Sequence, residues 1–361
     1  MANRSALASR RSGDDDDDLI RGEDDDDIIR GRGGDDRLDG GRGRDRLDGD
    51  DGDDSLSGGG GDDDLNGGVG DDRLNGGVGD DDLNGGRGRD RLIGGSGRDD
   101  LDGGIGDDVY FVDHAGEIVR GRSDPGDDRV NASITYSLGR HQEDLVLTGT
   151  DNLNGNGNSG ENRITGNDGN NGLNGASGDD IVSGGDGNDR VYGASGDDQL
   201  NGDDGDDRLN GASGADVLDG GDGVDVLLAG SGDDTLVYDE DDSLVAGGSG
   251  DDTLVIEGAD VSLDLSDVAG SVLTGIELID LTGTPNGNNA LSLSIADLLA
   301  LNAESDELFV FGDAGDSVEL TGGGWALNGG GTQVIGGVTY NVYDGGGGSV
   351  FVDTDLTQAI V

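Results

Sequence analysis

Apolar side chains recur at every ninth position over most of this chain, and each lies between two mostly polar neighbours. The pattern is most regular from Gly31 to Phe111, where nine units of nine residues follow one another without insertion or deletion. Such alternation predicts a very short β-strand whose central side chain points inward. When each unit is numbered from its first glycine, the inward-facing position is the eighth, and it holds Leu38, Leu47, Leu56, Leu65, Leu74, Leu83, Leu92, Leu101, Leu200, Leu209, Leu218, Leu227 and Leu236.

The remaining positions of the unit follow the pattern G-G-x-G-x-D-x-U-x, in which U is apolar. Glycine at positions 1, 2 and 4 permits positive φ and close backbone approach, as a tight turn requires, and aspartate at position 6 places a carboxylate at the exit of that turn. We therefore predict six turn residues and three strand residues per unit, stacked into a flat parallel coil. A second run extends from Gly157 to Val237, a further copy occupies 247–255, and degenerate units begin at Gly13 and Gly22.

This consensus resembles that of the RTX (repeat-in-toxin) family, and the resemblance covers roughly two thirds of the chain. It implies an all-β fold, a parallel β-roll (β-helix solenoid) in which two nonapeptides form one coil. It also implies several Ca²⁺ ions, held between turns stacked on the same edge by turn carbonyl groups and the position-6 aspartates. Asn162 and Asn171 replace aspartate in the first two units of the second run, so weaker or empty sites are expected there. The aspartates that match the family's ligands are Asp36, Asp45, Asp54, Asp63, Asp72, Asp81, Asp90, Asp99, Asp108, Asp180, Asp189, Asp198, Asp207, Asp216, Asp225, Asp234 and Asp252.

Two segments depart from the nonapeptide: the spacer 112–156 and the segment after Ile256. The first alternates β-branched and polar residues, which predicts short strands that continue or cap the roll, and it resembles the spacers between RTX blocks. After Ile256 the sequence predicts strands and one short helix, SLSIADLLALNAE, with Ile295, Leu298 and Leu299 on one face. In this last segment IDLTG, GDAGDSVEL and IGGVTYNVY resemble the C-terminal type I secretion target of RTX adhesins; the alternative is a domain that caps the open end of the roll.

The predicted organisation therefore has five parts. They are a disordered N-terminus (1–12), a first β-roll block (13–111), a β spacer (112–156), a second β-roll block (157–255) and a small, mainly-β C-terminal domain with one short helix for secretion or capping (256–361).

The charge of the chain limits its partners. Acidic residues number 81 against 22 basic residues, which gives a net charge of −59, and every basic residue is arginine, the last being Arg208. Such a chain repels nucleic acid and anionic membrane surfaces, so neither is expected as a partner. Abundant carboxylates, no cysteine and only two histidines favour a hard cation, Ca²⁺ before Mg²⁺. No apolar run is long enough to span a membrane, and none at the start resembles a cleaved signal peptide, so membrane insertion is not expected.

The sequence carries no motif of catalytic chemistry. Neither histidine belongs to HExxH, and there is no G-x-S-x-G and no cysteine nucleophile. Segments 62–67 and 80–85 begin like an EF-hand loop, but its twelfth position holds Arg73 and Arg91 in place of glutamate. We therefore predict a secreted, non-enzymatic protein that folds on binding extracellular Ca²⁺, with a structural or adhesive role and the type I secretion machinery as a partner. The alternatives are a remnant or accessory module of an RTX toxin or hydrolase, and a module that binds a polysaccharide or another cell-surface ligand.

Arginine at positions 5 and 7 distinguishes the first block. One interpretation is charge compensation on an outer face. The other is that arginine supports folding at lower Ca²⁺ concentration or binds an acidic polymer. The arginines concerned are Arg37, Arg44, Arg46, Arg73, Arg89, Arg91 and Arg98.

Overall fold

The computed structural model describes residues 10–121, 126–256, 261–265, 272–282, 288–301, 307–313, 315–335 and 338–360. Within these ranges the regular structure is β-strand apart from one short helix, and no helix there is both long and apolar enough to cross a membrane. The chain forms two compact units, Met1–Asn167 and Asp168–Val361. Each unit is built on parallel strand ladders that wind as a β-solenoid, so the predicted all-β roll is confirmed.

The first unit contains eighteen strands in the described ranges. They are β1 (Arg10–Ser12), β2 (Leu19–Arg21), β3 (Ile28–Gly33), β4 (Arg37–Arg42), β5 (Arg46–Asp51), β6 (Ser55–Gly60), β7 (Asp64–Val69), β8 (Arg73–Val78), β9 (Asp82–Arg87), β10 (Arg91–Ser96), β11 (Asp100–Ile105), β12 (Val109–Val112), β13 (Ile118–Arg120), β14 (Arg129–Ala132), β15 (Tyr136–Ser137), β16 (Asp144–Leu147), β17 (Asn154–Asn156) and β18 (Arg163–Thr165).

Most strands of this unit alternate between two parallel sheets, and β15 and β17 pair in parallel in a third. Sheet A joins β1, β3, β5, β7, β9, β11 and β13. Sheet B joins β2, β4, β6, β8, β10, β12, β14, β16 and β18, so the spacer strands continue the sheet that the repeats begin. Within the repeats, partners lie eighteen residues apart, as in Leu47↔Leu65, so one coil contains two nonapeptides. β1 occupies the last three residues of the segment 1–12 that was predicted as disordered, and residues 1–9 lie outside the described ranges.

The strands are longer, and the turns shorter, than the sequence predicts. A strand such as β8 covers six residues, from position 7 of one unit to position 3 of the next, and only positions 4–6 remain as the turn. The backbone ladder continues through the glycines: the N–H of Gly61 at position 4 donates to the carbonyl oxygen of Val78 at 2.7 Å. Parallel stacking supplies these bonds whatever the side chains are, so the low β-propensity of glycine misled the prediction.

The glycines serve the two purposes that the sequence predicts, positive φ and close backbone approach, but position 1 serves only the second. Positions 2 and 4 adopt positive φ, as at Gly77 (+110°) and Gly79 (+143°). Ala194 at position 2 keeps a φ of +84°, so the ladder imposes this conformation even on a residue with a Cβ. Gly76 at position 1 lies outside the positive-φ region, which corrects the prediction for this position, and its glycine has a different cause described with the site below.

Position 8 forms the core of both units. The thirteen leucines predicted to point inward are between 0 and 2% exposed. Each is flanked by outward-facing residues at positions 7 and 9 and stacks on its equivalent one coil away. The solenoid therefore has a narrow apolar interior, one side chain wide on each sheet.

The second unit contains twenty strands and one helix in the described ranges. They are β19 (Gly172–Ser177), β20 (Ile181–Asp186), β21 (Arg190–Ser195), β22 (Gln199–Asp204), β23 (Arg208–Ser213), β24 (Val217–Asp219), β25 (Val226–Ser231), β26 (Thr235–Tyr238), β27 (Leu244–Ser249), β28 (Thr253–Ile256), β29 (Ser262–Asp264), β30 (Leu273–Thr274), β31 (Leu278–Asp280), β32 (Ala290–Leu293), α1 (Ile295–Leu301), β33 (Glu307–Phe311), β34 (Ser317–Leu320), β35 (Ala326–Ile335), β36 (Val338–Gly345), β37 (Gly348–Asp353) and β38 (Thr357–Ile360).

Three sheets organise these strands. The first joins β19, β21, β23, β25, β27 and β30 in parallel. The second runs through β20, β22, β24, β26, β28, β31, β33 and β37 in parallel and ends in the antiparallel strands β36 and β35. A third, smaller parallel sheet joins β29, β32, β34 and β38. Strands beyond the last repeat thus extend the ladders of the repeats themselves.

The one helix lies where the sequence predicts it, but its buried face differs. Leu298 is fully buried, whereas Leu299 is 41% exposed and Leu301 takes its place in the interior at 3% exposure. A spacing of three residues from Leu298 to Leu301 places both on the same side of a helix, which Leu299 does not share. The side chain of Ile295 lies outside the described part of the structure.

Candidate metal centre

The position-6 aspartates form a ladder along each edge of the roll. One carboxylate oxygen, Oδ1, accepts a hydrogen bond from the backbone N–H of the position-6 residue one coil earlier. The N–H of Asp63 donates to Asp81 Oδ1 at 2.8 Å, and the N–H of Asp198 donates to Asp216 Oδ1 at 2.9 Å. Since the same bond recurs from coil to coil, this oxygen fixes the orientation of every carboxylate in the row.

The second carboxylate oxygen, Oδ2, is buried and accepts no hydrogen bond at most of these positions. Burying a carboxylate oxygen without a partner is costly, so a row of them calls for a ligand. Asp108 and Asp180 occupy the equivalent place in their turns. The aspartates whose Oδ2 is buried without a hydrogen-bond partner are Asp36, Asp45, Asp54, Asp63, Asp72, Asp81, Asp90, Asp99, Asp189, Asp198, Asp207, Asp216, Asp225, Asp234 and Asp252.

In the units that begin with glycine, Oδ2 lies close to that glycine at position 1. A Cβ on Gly76 would lie closer than 3.0 Å to Asp81 Oδ2 and to the carbonyl oxygen of Gly94, which comes from the next coil. Position 1 therefore favours glycine for space, because a carboxylate and a carbonyl oxygen from successive coils converge beside it; the exception is Ala229, which is fully buried at position 1 of the unit that contains Asp234. The arrangement repeats at Gly58 with Asp63, so it belongs to the fold and not to a single turn.

Burial makes these carboxylates hard to ionise. Desolvation raises the pKa of Asp54, Asp63 and Asp90 to about 7, although the backbone N–H bond to each carboxylate opposes the shift. It raises the pKa of Asp45 and Asp72 to about 6. Neighbouring aspartates add to the rise by repulsion, as Asp72 does at Asp54. A cation bound between the coils would relieve both the desolvation and the repulsion.

Position 5 carries a second ladder that sequence reasoning missed. Here the side chain accepts from the backbone N–H one coil later, as Asp53 Oδ1 does from Asp71 at 2.8 Å and Asp179 Oδ1 from Asp197 at 2.9 Å. These aspartates are mostly exposed, so they brace the turn from outside. The recurring Asp-Asp doublet in the sequence carried this signal, but the consensus marks position 5 as variable.

Carboxylates in the degenerate first units and in the spacer extend the position-6 ladder, and sequence reasoning did not name them as ligands. In the degenerate first units Asp18 accepts from its own turn, the N–H of Asp14 donating to Oδ2 at 3.0 Å. In the spacer the N–H of Asp108 donates to Asp128 Oδ1, and the N–H of Asp128 donates to Glu143 Oε2 at 2.9 Å. The spacings of 20 residues from Asp108 to Asp128 and of 15 residues from Asp128 to Glu143 break the nine-residue frame, so only strand pairing could place these two carboxylates.

Side-chain amides occupy the equivalent turns at the end of the first unit. The Nδ2 of Asn158 donates to the carbonyl oxygens of Gly139 and Gln142, and the Nδ2 of Asn167 donates to those of Thr148 and Asp151. Each amide N–H donates a hydrogen bond to a carbonyl oxygen that would otherwise be free to bind a metal ion. These turns therefore leave fewer free oxygen ligands for a metal, and the weaker sites expected at the start of the second run stay a prediction. Asn162 makes the same kind of contact, its Nδ2 donating to the carbonyl oxygen of Gln142 at 3.3 Å.

Arginine side chains link neighbouring coils on the surface of the first unit. Arg44 contacts Asp62 at 2.8 Å and Arg46 contacts Asp64 at 2.7 Å, each pair being eighteen residues apart. All four side chains are about half exposed or more, so each pair contributes little stability by itself, about 0–1 kcal/mol. These contacts agree with charge compensation as one use of arginine in this block.

The family comparison supports the same reading of the repeats. The family model of the RTX calcium-binding nonapeptide repeat (4 copies) matches residues 12–47, 39–74, 75–110, 148–182, 156–191, 165–200, 174–209 and 201–236, which together make up more than half of the chain. The chain belongs to the RTX calcium-binding nonapeptide repeat family. Its repeats therefore bind Ca²⁺, and the resemblance seen in the sequence is confirmed. No curated protein matches the chain.

The RTX turns offer the oxygen ligands that Ca²⁺ prefers. Among the described residues no three acidic or histidine side chains come together as a metal site. Since Ca²⁺ takes about 6–8 oxygen ligands, backbone carbonyls such as that of Gly94 would have to supply much of the shell beside an Oδ2 such as that of Asp81. The assignment of individual aspartates as ligands stays a prediction, which the orphaned Oδ2 atoms favour.

Proposed function

We propose that this protein is exported without its final fold and folds outside the cell when Ca²⁺ binds between the coils of its RTX repeats. The observation that carries the proposal is the row of buried Oδ2 atoms without hydrogen-bond partners. Without an ion, the folded state must hold these carboxylates close together in a poorly solvated interior. An ion that binds the folded state alone stabilises it by mass action.

The calcium concentration outside cells suits such a switch. Extracellular calcium modules bind with dissociation constants of about 10⁻⁴–10⁻³ M, far above cytosolic levels. The repeats would stay unfolded during synthesis and fold after export. We propose two groups of ligands. They are the position-6 aspartates predicted from the sequence, and the backbone carbonyl oxygens of position 1 and of neighbouring residues in the same turns.

The route of export is proposed from the C-terminal segment, 256–361. Its motifs resemble the type I secretion target of RTX adhesins, and it contains no basic residue. We propose the type I secretion machinery as the partner that reads this segment. The five-part organisation given above is proposed on the same grounds, with the segment also closing the end of the roll.

A structural or adhesive role is proposed in preference to catalysis. The RTX β-roll is itself a non-catalytic, calcium-binding structure, and the sequence offers no nucleophile–base pair or zinc motif. A remnant or accessory module of a toxin or hydrolase is the alternative, and a hydrolase panel on the calcium-loaded chain tests it. An adhesive role requires a ligand, and the arginines of sheet B favour an acidic polysaccharide as that ligand.

Calcium titration of the chelator-treated chain tests the folding proposal. We expect a disordered far-ultraviolet circular dichroism spectrum without Ca²⁺ and a cooperative gain of β-structure at about 10⁻⁴–10⁻³ M Ca²⁺. Mg²⁺ at equal concentration serves as the control, because it demands a smaller and more regular shell. A chain that is compact and resists protease in excess chelator contradicts the proposal.

A further inference from the structure

One outer face of the first unit is basic in a strongly acidic protein. On sheet B, positions 7, 9 and 3 of β4, β6, β8 and β10 point outward and hold four arginines and one aspartate. On sheet A, the same positions of β5, β7, β9 and β11 hold two arginines and six aspartates. The formal charges of the two faces are therefore +3 and −4. We call the sheet B face the basic face; its arginines are Arg37, Arg42, Arg73 and Arg91.

Three of the four arginines of the basic face lack the carboxylate partner that Arg44, Arg46 and Arg89 of the same unit have. Among the described residues no carboxylate oxygen lies within 4.0 Å of the guanidinium groups of Arg37, Arg73 or Arg91. On the edge of the roll, by contrast, Arg89 contacts Asp71 at 3.1 Å. The one acidic residue of the basic face, Asp39, already lies 3.9 Å from the guanidinium group of Arg21.

The basic face also holds like charges next to one another. Arg73 and Arg91 are direct partners on β8 and β10, so their positive charges repel across one strand spacing. Arg91 lies over the ring of Phe111 at 3.7 Å, and its Nη1 is buried without a hydrogen-bond acceptor. An anion on this face would relieve the repulsion between the two guanidinium groups and accept from their exposed N–H groups.

We propose that the basic face binds a linear acidic polysaccharide that runs along the axis of the roll. Position 7 holds arginine on β4, β8 and β10 and Ser55 on β6. Since adjacent strands lie about 4.8 Å apart, a chain molecule can meet Arg73 and Arg91 one strand apart and Arg37 two strands further on. A guanidinium group binds a carboxylate or sulfate through paired hydrogen bonds. Ser55, Ser57 and Asn75 lie between the arginines and offer uncharged donors and acceptors for sugar hydroxyl groups. Nucleic acid is a poorer match, because its phosphates are dense and the face has no unoccupied aromatic ring for a base.

The rest of the negative charge does not prevent this binding. The Debye length is about 8 Å at physiological ionic strength, so salt weakens the repulsion between a ligand on sheet B and the carboxylates of the edges and of sheet A. The proposal rests on the proposed function, because sheet B exists only in the folded roll. Binding is therefore expected in Ca²⁺ and to weaken with added salt.

The test uses the full chain in about 1 mM Ca²⁺ and a fluorescent carboxymethyl-dextran as the probe. The triple variant Arg37→Ser, Arg73→Ser, Arg91→Ser removes the three arginines of the basic face that have no carboxylate partner and leaves Arg42, which contacts Asp24. The matched control Arg44→Ser, Arg46→Ser, Arg89→Ser removes three arginines from the same unit that already contact carboxylates. We expect the first variant to weaken binding at least about tenfold and the control to change it by less than about twofold. Circular dichroism of both variants in Ca²⁺ verifies that each is folded.

Uncharged dextran and single-stranded poly(dT) complete the experiment. Equal binding of dextran, equal loss in both variants, or no binding by the folded wild-type chain each overturns the proposal and leaves calcium-dependent folding intact. Preference for poly(dT) would replace the polysaccharide by a nucleic acid. If the chain is folded in chelator, the proposed calcium switch fails, and persistence of carboxymethyl-dextran binding there would keep the basic face separate from it.

Discussion

At the scale of the residue, each position-6 aspartate uses its two oxygens for two purposes. Oδ1 of Asp81 binds the backbone of the preceding coil at 2.8 Å, and Oδ2 lies beside Gly76 without a partner. The first contact orients the second oxygen, so a side chain that keeps one function can lose the other. Asparagine makes this separation, because its oxygen can still accept while its nitrogen can only donate.

The variant Asp81→Asn is expected to bind fewer Ca²⁺ ions and to need more Ca²⁺ to fold. Its amide oxygen can keep the bond from Asp63, but its nitrogen replaces the oxygen that faces the Gly94 carbonyl. The control Asp80→Asn removes the same charge from the exposed neighbour at position 5, where Oδ1 accepts from the N–H of Arg98 at 2.9 Å. Calorimetric titration of the two variants compares the ion counts. An unchanged count for Asp81→Asn would remove this carboxylate from the proposed ligands.

At the scale of the element, the turns at the end of the first unit resemble the metal turns but are closed by amides. Asn158, Asn162 and Asn167 donate to carbonyl oxygens of neighbouring turns, and Gln142 is fully buried with its Oε1 accepting from Gly139 at 2.7 Å. Hydrogen bonds within the chain here take the place of ion ligation. This part of the roll does not need Ca²⁺ to satisfy its polar groups.

We therefore expect backbone amides of β14 and β16 to exchange hydrogen more slowly in chelator than those of β6 and β8. Hydrogen exchange with mass spectrometry, with and without Ca²⁺, measures the difference. The variant Asn162→Asp, which adds a buried carboxylate and removes two donors, should abolish the protection in chelator and restore it in Ca²⁺. Asn131→Asp adds the same charge on the outer side of β14 and should have little effect. Uniform exchange across all four strands would contradict this account.

At the scale of the whole molecule, the nine-residue frame predicted the solenoid and its core but not the lengths of its parts. Position 8 could be recognised because a buried leucine such as Leu65 repeats in a polar chain. The strand through Gly76 and Gly77 could not be recognised from the sequence, because backbone hydrogen bonds between coils form it and side chains take no part. The continuation of the ladder by Asp128 and Glu143 was also hidden, since it depends on which strands pair. The orphaned Oδ2 atoms coincide with the predicted ligands because both follow from position 6.

The metal-free and calcium-bound molecules should respond to pH in opposite directions. Burial raises the pKa of many position-6 carboxylates in the fold, to about 7 at Asp54 and Asp63, from an ordinary value of 3.8. Because the folded chain then binds protons more tightly than the unfolded chain, the metal-free fold is most stable below about pH 4 and loses stability as pH rises through about 6–7. Calcium binding needs the ionised form, so its affinity should rise through the same window.

At about pH 5 the chelator-treated chain should be more compact than at about pH 8, yet need more Ca²⁺ for full folding. Circular dichroism and calcium titration at both values measure the two effects, and proton release on calcium binding, seen by calorimetry in two buffers, links them. A calcium midpoint that does not move with pH, with no proton release, would show that the buried carboxylates are not where the ions bind.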